Sequence, residues 1–115
     1  IEDKLVTLSG GSSKSQSYKF DVALDSRNPK EKGYASQQTV FDLFGLRTVD
    51  SVLEGLTSTV FAYGQTGTGK TTTIMGNNYP PEQQGLLPRL VKNLFSRCDA
   101  LKATSNEQIH LKVQM

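Results

Sequence analysis

The stretch Gly64-Gln65-Thr66-Gly67-Thr68-Gly69-Lys70-Thr71 fills every fixed position of the pattern G-x-x-x-x-G-K-[ST]. Such a loop works only where an apolar strand delivers the chain to its first glycine and a helix leaves from its lysine. It therefore predicts an α/β architecture before anything else is read. The alternative is a Gly-rich surface turn, and the flanking residues argue against it. Thr57 to Tyr63 combines β-branched and aromatic residues with little charge, as a buried strand should, and Thr72 onward suits a helix.

Each residue type in the loop has a physical task. Gly64, Gly67 and Gly69 lack side chains, so the backbone can take positive φ and approach phosphate oxygens closely. Successive amides then face inward, and with the positive end of the following helix they favour a polyanion. Lys70 adds a mobile cation for the β- and γ-phosphates, and the Thr71 hydroxyl is placed to be a Mg²⁺ ligand. Triphosphate with magnesium is the expected ligand.

Around this centre the chain divides into short elements. Lys4 to Leu8 and Ser17 to Leu24 read as strands of a hairpin about Ser9-Gly10-Gly11-Ser12-Ser13. Ser36 can cap a helix in which Val40, Phe41, Phe44, Val49, Val52, Leu53 and Leu56 recur at three- and four-residue steps. Within it Gly45 should cost about 1 kcal/mol relative to Ala, and Gly55 suits its C-terminal stop. Gly76 to Gln84, with two asparagines and two prolines, reads as a surface loop. A last helix starts near Leu86 with Pro88 in its first turn, burying Leu90, Val91, Leu94, Phe95, Cys98 and Leu101. Ile109, Leu111, Val113 and Met115 alternate with polar residues in a half-buried strand pattern. A start at Ile1 and an end inside that pattern suggest a piece of a longer protein.

The rest of the composition excludes more than it suggests. With 115 residues there is room for one domain, and 13 cations against 11 anions leave no basic track for nucleic acid. Cys98 is the single cysteine and His110 the single histidine, so neither a disulfide within the chain nor a metal cluster or catalytic triad of these residues can be assembled. No apolar run approaches the length of a membrane span, and the N-terminus lacks the order of a signal peptide. The chain reads as soluble and intracellular.

Phe61-Ala62-Tyr63 running into the loop, then Thr73-Ile74-Met75-Gly76, together resemble a kinesin motor domain. Phe20-Asp21, Gln38 and Val40, Val52-Leu53-Glu54-Gly55 and Gly85-Leu86-Leu87-Pro88-Arg89 are similar to that family in type and order, so the resemblance spans about residues 18 to 115. It implies a microtubule-stimulated ATPase of P-loop NTPase fold, a central mixed sheet with helices on both faces. This chain, residues 1–115, would be a partial motor domain truncated before the switch motifs, roughly a third of the whole. It implies ATP or ADP bound by Gly64, Gln65, Thr66, Gly67, Thr68, Gly69, Lys70, Thr71 and Thr72, with Mg²⁺ at Thr71. It also implies microtubule partners met through other parts of the motor, no nucleic acid or membrane contact, and a place in the cytoplasm on the cytoskeleton. Tyr34-Ala35-Ser36-Gln37, Gln83-Gln84-Gly85 and Leu94-Phe95-Ser96-Arg97 look most like the third kinesin class, the plus-end cargo transporters.

The departures from the family pattern carry their own expectations. Thr72 stands where kinesins often place an aromatic or imidazole against adenine, so base preference should be softer. Gly55-Leu56-Thr57 replaces the usual Gly-Tyr-Asn, a change in packing rather than in phosphate chemistry. The Arg-x-Arg-Pro element and both switch segments, Asn-x-x-Ser-Ser-Arg and Asp-Leu-Ala-Gly-Ser-Glu, are not in these residues. Asp21, Asp42, Asp50 and Asp99 read as strand-end or helix-surface carboxylates rather than magnesium ligands, because no apolar strand ending in Asp follows the phosphate loop. No catalytic residue is assigned, and residues 1–115 alone should bind nucleotide without turning it over. A non-hydrolysing, kinesin-like regulatory module and another P-loop enzyme are the competing readings.

Overall fold

The computed structural model describes residues 4–11, 14–105 and 109–114. Two compact units divide at Ser36. In the first, strands β1 (Leu5–Leu8) and β2 (Gln16–Lys19) pair antiparallel with Leu5 opposite Lys19 and Leu8 opposite Gln16. The predicted hairpin is there, but its second strand is shorter than expected: pairing ends where Phe20 N–H reaches the Lys4 carbonyl at 2.7 Å. Ser12, Ser13, Ile1 and Met115 lie outside the described residues. A loop then closes on itself, Ala35 N–H reaching the Asp25 carbonyl at 2.7 Å.

The second unit opens with helix α1 (Gln37–Val40), which starts directly after Ser36 and continues through a π-helical turn (Phe41–Gly45) into α2 (Leu46–Leu53). Gly55, at φ +85°, ends the rod in the left-handed conformation its lack of a Cβ permits. The π turn explains Gly45. A Cβ there would lie 2.7 Å from Phe41 Cε2 and nearer still to Cδ2, so the ring occupies the space an alanine would need. The apparent propensity defect is a packing requirement.

Helix α3 (Lys70–Ile74) follows the glycine loop, a 3₁₀ turn spans Pro81–Gln83, and α4 runs Leu86–Thr104. The core lies between α2 and α4, where Val49, Leu94 and Cys98 are buried and Val52, Leu53, Leu90, Ile109 and Leu111 pack around them. Asp50 and Arg97 pair across the same two helices at 2.5 Å, both partly exposed.

Three expectations are corrected. Phe95 and Leu101 are exposed, because the apolar stripe on α4 is wider than the surface that the described elements cover. Thr57–Tyr63 forms no ladder among the described residues, and Phe61 and Tyr63 are 78% and 81% exposed rather than buried. Residues 109–114 likewise pair with nothing described, although Ile109 and Leu111 do face the core. Alternating hydrophobicity encodes which side chains turn inward; a strand also needs a backbone partner, which the pattern cannot supply.

Candidate nucleotide-binding site

The glycine loop takes the unusual backbone its composition allows. Gly64, Gly67 and Gly69 have φ of +145°, +81° and +89°. A Cβ on Gly64 would sit 2.8 Å from Thr68 Oγ1, whereas Gly67 and Gly69 face open space. The turn is tied from inside by one carbonyl. Gln65 O accepts the Thr68 amide at 3.3 Å, the Thr68 hydroxyl at 2.7 Å and the Lys70 ammonium at 2.6 Å. Lys70 Nζ also donates to Gly64 O at 2.7 Å. The lysine thus folds back across the loop, its ammonium held by the carbonyls of the loop's first two residues.

Gly69 caps α3 from the left-handed region, and the first helical bond runs from Thr73 N–H to Gly69 O at 2.9 Å. The amides of Lys70, Thr71 and Thr72 therefore have no helical acceptor behind them. Thr66, Thr71 and Thr72 are exposed beside these donors. Three amides without helical acceptors, the Lys70 ammonium and the exposed Thr71 hydroxyl suit phosphate oxygens, and phosphate-bound Mg²⁺ needs few protein ligands beyond such a hydroxyl. Among the described residues no group of three or more His, Cys, Asp or Glu could hold a metal by itself.

The described aspartates lie at the surface. Asp21, Asp42, Asp50 and Asp99 are all exposed; Asp42 accepts Gln38 Nε2 at 2.7 Å and Asp50 is held by Arg97. Asp25 is exposed as well, and hydrogen bonds from the Arg27 side chain, then its amide, bring its carboxyl down to about 2.

Two features behind the loop were not legible as site residues. Gln37 Nε2 donates to the Thr72 carbonyl at 2.8 Å, joining α1 to α3. Arg89, half-buried on α4, donates to the carbonyls of Gln84 at 2.9 Å, Glu82 at 3.0 Å and Pro81 at 3.3 Å, and to Gln38 Oε1. It closes the base of the loop from Gly76 to Gln84 together with Asn77 N–H to Gln83 O and Gly85 N–H to Met75 O, both 2.9 Å. A Cβ on Gly76 would lie 2.8 Å from the Gln84 carbonyl carbon, so the two ends of the loop meet only because a glycine stands there. The segment Gly85 to Arg89 attracted notice in the sequence, but nothing local marks Gln37.

The family model for the kinesin motor domain matches residues 2–115. The chain is 41% identical over 87 residues to human kinesin-like protein KIF16B, covering 76% of this chain and 6% of that protein. Against mouse kinesin-like protein KIF14 it is 40% identical over 97 residues, 84% of this chain and 6% of that protein. A solved structure of KIF14 with ADP in complex with a microtubule superposes with a TM-score of 0.78 at 34% identity, covering 87% of this chain and 27% of that one. The chain thus spans about a quarter of that solved chain and a small part of its curated relatives. No described helix is long and apolar enough to cross a membrane.

Proposed function

The chain belongs to the kinesin motor-domain family, and from that premise we propose that residues 1–115 are the nucleotide-gripping part of a microtubule-stimulated motor ATPase. Its α/β fold is that of the P-loop NTPases, of which these residues surround the loop. Gly64 to Thr72 hold ATP or ADP: the glycines let the backbone approach, the amides of Lys70 to Thr72 and the Lys70 ammonium meet phosphate oxygens, and Thr71 offers its hydroxyl to Mg²⁺. Bound MgATP supplies the phosphoryl bond whose hydrolysis drives movement; these residues bind and orient it. Water positioning and filament contact fall to other parts of the motor. The whole protein is then a cytoplasmic, microtubule-borne cargo transporter of the third kinesin class.

One observation carries the reading: Lys70 Nζ lies 2.7 Å and 2.6 Å from the carbonyls of Gly64 and Gln65, inside a loop of positive-φ glycines that opens a helix. Those two carbonyls are exchangeable partners, and anionic phosphate oxygens are stronger acceptors for an ammonium. MgATP titration of the intact motor domain tests it. Lys70→Ala should abolish tight binding, and an unchanged affinity would refute the assignment. Phosphate release that microtubules fail to accelerate in the wild-type motor would favour the regulatory alternative.

A further inference from the structure

Helix α3 carries the phosphate loop's lysine and threonine, yet none of its five residues is buried. Packing therefore holds it weakly, and discrete polar tethers must set its position. Its carbonyls show where. The amides of Met75 and Gly76 both bond to Thr71 O, at 2.8 Å and 3.1 Å. In a regular helix the Gly76 amide would reach Thr72 instead. The Thr72 carbonyl is left for an outside donor, and Gln37 Nε2 fills it at 2.8 Å from a position 35 residues earlier.

Gln37 is itself well anchored. It is half-buried at the first position of α1, and its neighbour Gln38 is gripped by Arg89 and donates to Asp42. A second tether, Gly85 N–H to Met75 O at 2.9 Å, holds the residue that directly follows α3. The short helix is thus tied at its middle residue, Thr72, and just past its end, at Met75, while its first residue leaves the loop.

We propose that Gln37 is a positioning residue for the phosphate site: its carboxamide, seated on the Thr72 carbonyl, fixes the orientation of α3 and with it Lys70 and Thr71. The inference rests on the phosphate-loop reading above. A five-residue helix released at one tether turns as a unit, so misplacement at Thr72 is transmitted to the Thr71 hydroxyl and the Lys70 ammonium, one and two residues before it.

The test is MgADP binding and release by the intact motor domain, followed with a fluorescent ADP analogue, alongside urea unfolding. Gln37→Met keeps length and volume but loses the donor; it should weaken MgADP by about 3- to 10-fold, through faster release, with little change in the urea midpoint. Gln37→Glu sets a carboxylate oxygen against the Thr72 carbonyl and should lose at least as much, so it carries the test independently. Gln37→Met and Gln37→Glu within twofold of wild type, or a lowered urea midpoint with unaltered MgADP affinity, would overturn the role. Lys70→Ala separates the two readings. If it binds MgADP like wild type, the phosphate-loop assignment fails; if it does not, and both Gln37 variants bind normally, only the positioning role fails.

Discussion

Replacing Gly45 by alanine distinguishes helix propensity from packing, because the two predict opposite signs. The residue lies at φ −65°, ψ −47°, ordinary helical values, so propensity alone says that Gly45→Ala should stabilise by about 1 kcal/mol. The new Cβ, however, would stand 3.0 Å from Phe41 Cγ and 2.7 Å from Cε2, against a ring that is only 6% exposed. A buried ring cannot step aside without vacating its site, and overpacking of this kind costs about 1–3 kcal/mol. If the ring is expelled altogether, the loss approaches the roughly 3–5 kcal/mol of a Phe→Ala change. Set against the propensity gain, overpacking leaves a net destabilisation of up to about 2 kcal/mol, read as a lower urea midpoint of the intact motor domain. A double-mutant cycle isolates the cause: in a Phe41→Ala background the space is free, and Gly45→Ala should recover its gain of about 1 kcal/mol. The reasoning is refuted if Gly45→Ala raises the midpoint in the wild type, or lowers it equally in both backgrounds.

Two further outcomes follow from the site and the loop before it. Thr71→Ala should weaken nucleotide binding more in the presence of Mg²⁺ than in its absence, since only the metal complex uses the hydroxyl as ligand; equal losses under both conditions would count against that role. Asp25, held by the Arg27 side chain and amide, should titrate near 2 in place of 3.8, measurable by carboxyl NMR. Its folded value lies below its unfolded one, so the contribution to stability is present above about pH 4 and disappears as pH falls through about 2. Arg27→Gln should return the midpoint toward 3.8, and a midpoint that stays low would show that Arg27 is not the cause.

What the sequence by itself determined is local. Three glycines, a lysine and a threonine at fixed spacing located the loop, since positive φ and a helix start are properties of a few adjacent residues. Ser36 and Gly55 bracketed the first helical rod, and Pro88 in the first turn marked the beginning of α4, for the same reason. Val49, Leu94 and Cys98 were recognisable as core because helical periodicity records which face turns inward. Only the tertiary structure decided what meets across long distances. It set Gln37 on Thr72, 35 residues away, and Arg89 on Gln38, 51 residues away. It turned Gly45 from a weak point into the seat of the Phe41 ring, and among the described residues it gave Thr57–Tyr63 no ladder. A hydrogen bond between distant residues leaves no period in either segment, and burial depends on whether another element arrives to cover the face; both are fixed only when the chain is packed.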